Sequence, residues 1–340
     1  MPELSPAEFA EWDEFVQRSP QGTVFAKSFW LEAFERWTPG NKARVFVVRG
    51  GDGAIQAGVP LFVQRVGHRQ SVEVPPLTAY TSLLLAPRTR KDENREAEWE
   101  TKTIDQLLAE LRGCTCDRIR LLHAPSLTDV RGFTWQGWDA TPRYTYVRSL
   151  DSADFVGGLS KNHSKNFRKA ARAGYTVSLA EDLAQRLDAF LVMFEHSYKT
   201  VPAAYVPHCQ LVRALCQAGT GKGTALLYEA ADARGEVQAA RIVWLSCRQQ
   251  VMDWAAATTN VGRDDGATAF LITKMFEDLR SRGYREFDFC GANTRSIAQF
   301  KAGFNATLVP YYATEIERPR ILSGLKTALR ALKARVRRGK

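Results

Sequence analysis

Residues 251–304 read VMDWAAATTNVGRDDGATAFLITKMFEDLRSRGYREFDFCGANTRSIAQFKAGF. The pattern is strand, polar loop, helix, strand, loop, then a short basic-aromatic segment. An apolar strand over 251–255 gives way to a polar, flexible loop over 258–266. The helix predicted over 267–282 has Phe270, Leu271, Lys274, Met275 and Leu279 near helical spacing, and Gly283 stops it as a left-handed cap does. In 286–290, Phe287 and Phe289 alternate with Glu286 and Asp288, the period of a strand. A strand whose loop runs into a helix N-terminus offers backbone N–H groups to an anion or a polarised carbonyl.

The same design recurs upstream. A hairpin predicted around Asp52-Gly53 is matched by one around Gly235, and Gly53-Ala54-Ile55-Gln56-Ala57 resembles Gly235-Glu236-Val237-Gln238-Ala239. Each hairpin is followed by a strand, a helix and another strand. The copies are 182 residues apart at the glycines and 168 apart between Ile119 and Phe287. This repeat predicts two α/β units, each a twisted mixed sheet flanked by helices. We place the first lobe at 1–150, the second at 151–318, and a basic C-terminal helix at 319–340. Smaller expectations complete the first lobe: helices over 5–18, 28–37 and 93–112, an interrupted strand over 71–85, and a closing hairpin over 133–148.

Length and composition agree. The 340 residues, 45% of them apolar, suffice for two cores. No run approaches the roughly 20 apolar residues of a membrane span. The acidic, amphipathic N-terminus does not read as an export signal, so the six cysteines are expected to be reduced thiols of a cytoplasmic protein. Cys114, Cys116 and His123 lack an evident fourth ligand for zinc, and no metal is expected. The net charge of +10 is concentrated in the tail. Nine basic residues and no acidic one lie between Arg318 and Lys340, leaving 38 basic against 37 acidic residues elsewhere. Ile321, Leu322, Leu325, Leu329, Leu332 and Val336 make that tail an amphipathic basic helix. Docking on the protein body, lying on anionic lipid and touching tRNA are its three open readings.

A second basic element joins the lobes. In LSKNHSKNFRKAARAG, residues 159–174, the cations Lys161, Lys165, Arg168, Lys169 and Arg172 recur at three- and four-residue steps. They share one helical face with no acidic residue, a strip suited to a polyanion.

The motifs Phe287-Asp288-Phe289-Cys290-Gly291, Phe300-Lys301-Ala302-Gly303-Phe304 and Tyr311-Tyr312 resemble the C-terminal half of the FemABX and BioF2-like group. That group is a tandem-domain branch of the GNAT acyltransferases. Trp12, the run from Ser19 to Phe25 and Trp30 resemble its N-terminal pattern. The resemblance implies two tandem GNAT-like lobes and transfer of an acyl or aminoacyl group to an amine. It implies Lys301 as the cation at the donor carbonyl and Tyr205 as an aromatic near the acceptor.

Such chemistry asks for a deprotonated amine, alignment and oxyanion stabilisation. One cation and one base suffice. Lys301 is the candidate cation. Asp288 is the candidate base or substrate anchor. Asn293 and Trp254 are placed beside the site. The nearest match to a coenzyme A pyrophosphate loop is Arg263-Asp264-Asp265-Gly266-Ala267-Thr268, with Arg263 and Gly266 as candidate cofactor contacts. Its last position departs from the pattern, and two aspartates stand where a pyrophosphate would approach. No cofactor is expected to stay bound. The expected co-substrate is aminoacyl-tRNA, with acyl-CoA or an acyl carrier, in polysaccharide, envelope or natural-product biosynthesis, as the alternative. A non-catalytic tandem-lobe binding protein is the reading from another class.

Overall fold

The aromatic spacing at the N-terminus builds two short helices, α1 (Phe9–Arg18) and α2 (Ser28–Trp37). Trp12 and Trp30 are fully buried, and Trp12 Nε1 donates to the Ala26 carbonyl at 2.7 Å. The computed structural model describes residues 3–37, 40–66, 69–87, 92–152, 154–198 and 208–317. Tyr205 and the whole tail from Arg318 lie outside the described residues.

The first half continues as β1 (Lys42–Arg49), β2 (Ile55–Val66), β3 (Arg69–Val72), β4 (Leu84–Leu85), α3 (Glu93–Leu111), β5 (Arg118–Leu122), α4 (Arg131–Trp135) and β6 (Asp139–Ser149). The second half holds α5 (Lys161–Arg172), β7 (Thr176–Leu179), α6 (Leu183–Tyr198), α7 (Cys209–Thr220), β8 (Ala225–Ala231), β9 (Val237–Leu245), β10 (Gln250–Thr258), α8 (Asn260–Asp265), α9 (Ala267–Ser281), β11 (Glu286–Asp288), α10 (Arg295–Ala302) and β12 (Thr307–Glu317). The hairpin expected over 133–148 is a helical turn followed by the single long strand β6. Gly137, at φ 80°, makes the corner between them.

All twelve strands join one mixed sheet, in the order β1-β2-β3-β5-β12-β6-β11-β10-β9-β8-β7, with β4 paired to β2. The duplication is visible in it, yet the two units do not keep separate sheets. Each copy gives its last strand to the other. β12 pairs with β5 of the first half, and β6 pairs with β11 of the second. β6 and β12 then pair antiparallel with each other over nine residue pairs, from Thr307↔Val147 to Glu315↔Asp139. At the middle of that ladder Arg143 faces Tyr311. These two are 168 residues apart, the spacing that separates Arg118 from Glu286 and Ser149 from Glu317. A local twofold therefore runs between β6 and β12.

The spacings of 182 at the hairpins and 168 at the centre differ by 14 residues, and the first half is the longer. Part of the extra chain lies in the irregular stretch between β3 and β4, which carries Leu77 and Tyr80, and part in α3, which has 19 residues against 15 in α9.

Three cores hold the layers together. One lies under α3 and one between α9 and the second-half strands. The third is shared, and joins α1 and α2 of the first half to α6, α7 and β8–β10 of the second. At its centre Trp244 meets Trp30 edge-on at 5.2 Å between ring centroids, and Trp254 at 5.3 Å. Gly219 packs so closely on this cluster that a Cβ there would lie 2.2 Å from the Trp244 ring.

Trp244→Ala should cost about 3–5 kcal/mol, the usual range for a buried aromatic cut to a methyl group. Because the shared core and exchanged strands bind the halves, urea unfolding followed by far-UV circular dichroism and by tryptophan fluorescence should give one coincident transition. Two separated transitions would show that the halves fold independently.

Candidate active site

The site forms where two parallel strands part. β10 and β11 pair only from Gln250↔Glu286 to Met252↔Asp288. Beyond that point β10 runs on to Thr258, while the chain after β11 turns away through Cys290 (φ 55°) and Gly291 (φ 92°). On its other edge β10 carries a bulge. Asp253 faces Val243 and Ala255 faces Ile242, so Trp254 is an extra residue. A bulge takes local peptide groups out of the regular ladder and re-aims side chains.

Lys301, in the last turn of α10, reaches this gap. Its ammonium donates to the carbonyl oxygens of Phe289 and Gly291, both at 2.5 Å. Burial holds its pKa below the ordinary lysine value, and the nearby Asp253 carboxylate pulls the other way. Asp253 is itself buried and accepts from Nη1 of the buried Arg241 through both oxygens at 2.5 Å. The Nε of Arg241 has no partner among the described residues. Lys301, Asp253 and Arg241 thus form a charged cluster in a desolvated setting.

Asp288 alternates with its phenylalanine neighbours as expected, and points to the sheet face opposite theirs. It is not solvated there. Its carboxylate accepts from Tyr80 Oη at 2.6 Å, Thr145 Oγ1 at 2.6 Å and the Cys290 N–H at 2.8 Å. Tyr80 comes from the irregular stretch between β3 and β4 and Thr145 from the exchanged strand β6. Burial raises the Asp288 pKa, against the lowering effect of these donors, and also raises that of Tyr80. The carboxylate borders a cavity of about 190 Å³, also lined by Met252, Val147, Glu286 and Arg248.

The other sequence candidates divide. Trp254 is half-buried, with its indole N–H donating to the Leu77 carbonyl at 2.7 Å and its ring against Trp30. Asn293 accepts from the Tyr144 N–H at 3.0 Å and donates to Tyr311 Oη at 3.2 Å, so it fastens the loop after β11 to β6 and β12. The polar loop expected over 258–266 contains α8, because Thr259 caps it by accepting from the Gly262 N–H at 2.9 Å. Arg263 is exposed and bonds Asn260 at 2.9 Å. Gly266 has φ 80°, and a Cβ there would meet the Asn166 carbonyl oxygen of α5 at 2.5 Å. Packing of α5 accounts for this glycine without a phosphate. Of the two aspartates expected where a pyrophosphate would approach, Asp265 turns its carboxylate toward Lys169 and Tyr175, while Asp264 is exposed and meets α5 through its backbone carbonyl. Lys169 Nζ bonds the Asp264 carbonyl at 2.8 Å and pairs with Asp265 at 3.4 Å, and Tyr175 Oη donates to Asp265 at 3.2 Å.

On α5 the five cations are exposed on the side away from the buried His163 and Ala170. Lys169 is committed to α8. Lys161, Lys165, Arg168 and Arg172 have no carboxylate partner among the described residues. His123 bears on the zinc reading. Its ring faces the Leu83 N–H and the Thr314 hydroxyl, and burial lowers its pKa to about 3.

Sequence reasoning did not single out Arg241 or Tyr80. Arg241 left a signal, as the one charged residue in the run AARIVWL, where a buried guanidinium needs a carboxylate nearby. Tyr80 left none, because its partner is 208 residues away.

Residues 159–302 match the model of the acetyltransferase (GNAT) domain. That span contains the parting strands, α8, α9 and Lys301. Solved structures extend the match to nearly the whole chain. FemX aligns with a TM-score of 0.69 at 14% identity, covering 92% of this chain and 97% of its own. The chain has the tandem GNAT fold. Its second half carries the acetyltransferase domain, which makes it an acyltransferase. The C-terminal domain of a putative lysylphosphatidylglycerol synthetase from Agrobacterium fabrum aligns with a TM-score of 0.57 at 16% identity, over 98% of this chain and 96% of that one. A tandem GNAT protein from the clavulanic acid biosynthesis pathway aligns at 0.52 and 13%, over 92% and 96%. No curated protein sequence matches this tandem GNAT protein. No helix among its described residues is long and apolar enough to cross a membrane.

Two tests follow from the buried charges. Arg241→Met strands the Asp253 carboxylate and should cost about 3–5 kcal/mol, whereas Arg241→Met with Asp253→Leu should recover most of the loss. Denaturant melts of the two variants check this, and equal losses would contradict it. For Asp288 the folded pKa lies above the unfolded value of 3.8. The native state therefore binds the extra proton between those two values, and stability falls as pH rises through that window. Asp288→Asn should remove this slope from unfolding curves recorded across acidic pH.

Proposed function

We propose that the protein transfers an aminoacyl group from aminoacyl-tRNA to an amine acceptor, forming an amide at the gap between β10 and β11. The observation that carries the reading is the Lys301 ammonium. An ammonium has three N–H donors. Two are spent on the Phe289 and Gly291 carbonyls, which fixes the group and leaves the third free. The amine nitrogen attacks the ester carbonyl, a C–N bond forms, and the third donor meets the oxyanion. The C–O bond to the ribose then breaks, and the leaving ribose oxygen takes up the proton lost by the amine. Asp288 anchors the acceptor and relays that proton from the amine to the ribose oxygen. Three of its roughly four lone-pair sites are filled, and burial makes it a stronger base than an exposed aspartate.

The choice of donor rests on α5. Four exposed cations without carboxylate partners among the described residues line α5, which packs on α8 and α9, and give it a surface suited to a phosphate backbone. The position usual for a pyrophosphate loop is taken by Asn166, which supports tRNA over acyl-CoA as donor.

Lys301→Ala should lower turnover by about 10²–10³, the usual loss for an oxyanion donor, with acceptor affinity retained. Unchanged turnover removes Lys301 from the mechanism. Transfer from charged tRNA should stop on ribonuclease treatment, while insensitive transfer from an acyl-thioester would replace the donor. Charge reversal at Lys165 and Arg168 should weaken tRNA binding and flatten its salt dependence.

A further inference from the structure

A cavity of about 330 Å³ lies away from this chemistry, by the turn where β9 leads into β10. One wall comes from the first half, with Asp13, Val24, Lys27 and Phe29. The other comes from the second half, with Lys222, Leu245, Ser246 and Tyr284. The lining is unbalanced in its hydrogen-bonding groups. Lys27 Nζ donates to the Asp13 carbonyl at 2.5 Å and has two N–H groups left. Ser246 Oγ accepts from the Val24 N–H at 3.0 Å, so its own hydroxyl proton is free. Lys222 Nζ lies 5.9 Å from the centroid of the Phe29 ring. Neither Lys222 nor the Tyr284 hydroxyl has an acceptor among the described residues. The carboxylate of Asp13 accepts from the Ser28 N–H at 2.7 Å and the Ser28 hydroxyl at 2.6 Å, one bond to each oxygen.

Two ammonium groups therefore converge on one partly apolar hollow with spare donors, beside a single lining carboxylate, that of Asp13. Burial depresses the Lys27 pKa, with Cys247 and Asp13 pulling it up and the nearby Lys222 pushing it further down. The floor of Val24, Phe29 and Leu245 is suited to a flat apolar body.

We infer that this hollow is a second ligand site, which takes an oxyanion, phosphate or carboxylate, carried on a planar apolar group. Lys27, Lys222, Ser246 and Tyr284 hold the anion, and Phe29 with its neighbours holds the ring. Since the walls come from both halves, the ligand bridges them at the end of β10 opposite the reactive gap. The site does not depend on the identity of the acyl donor.

Calorimetric titration of the full chain tests this, with phenyl phosphate and benzoate as the two anion arms and benzyl alcohol and inorganic phosphate as controls. Phenyl phosphate, benzoate or both should bind, and whichever is tighter names the anion. Benzyl alcohol should not bind, and inorganic phosphate should bind at least about tenfold more weakly than the tighter aryl anion, about 1.4 kcal/mol. Lys222→Ala, at an exposed position, and Lys27→Met should each weaken that anion about tenfold or more. Affinity unchanged in both variants, or no binding of either aryl anion, overturns the site. Equal affinity for inorganic phosphate and phenyl phosphate overturns the part given to the apolar floor.

Discussion

The antiparallel ladder between β6 and β12 is the constraint on which the molecule rests. Each strand closes the sheet of the opposite copy, so β5 and β11 both find a neighbour that their own copy does not supply. Strand edges are costly to leave open, because unpaired N–H and C=O groups invite other chains. The exchange removes both inner edges at once. It also brings Thr145 to within hydrogen-bonding distance of Asp288, and Tyr311 to Asn293. The site is thus built from both copies even though its charged cluster belongs to the second.

The electrostatics follow from that burial. Lys301 and Asp253 lie close together in a medium where charge is expensive, and each is held by fixed partners, two backbone carbonyls for one and a guanidinium for the other. Groups held in this way need little rearrangement when charge develops beside them, which is the usual origin of large electrostatic effects in acyl transfer. The shared tryptophan core keeps the parting strands in register, since Trp254 is at once the bulged residue and a member of that core.

Much of this was legible in the chain. The periodicity of 267–282, the alternation of Phe287 and Phe289, and the repeat spacings gave the helix, the strand and the duplication. Lys301 stood out between two aromatic residues. The exchange of strands was not legible, because β6 has the same local pattern whichever copy it joins, and register between distant strands is set by packing. The burial of Asp288 was not legible for a related reason. Alternation tells which face a residue takes, and here both faces are covered. The helix α8 hid in a polar run because a single threonine cap and a few backbone bonds suffice for six residues.

The spacing of 168 residues has one more consequence. It holds from β5 and β11 through to the starts of β6 and β12, Asp139 and Thr307, so positions between them correspond one to one. The counterpart of Lys301 is Phe133, and that of Asp288 is Arg120, which pairs with Glu315 at 3.7 Å. Phe133 is wholly enclosed against His123. At this position one copy buries an aromatic ring while the other places an ammonium group bonded to two backbone carbonyls. The symmetry of the duplication survives in the backbone and is lost in the side chains at these positions.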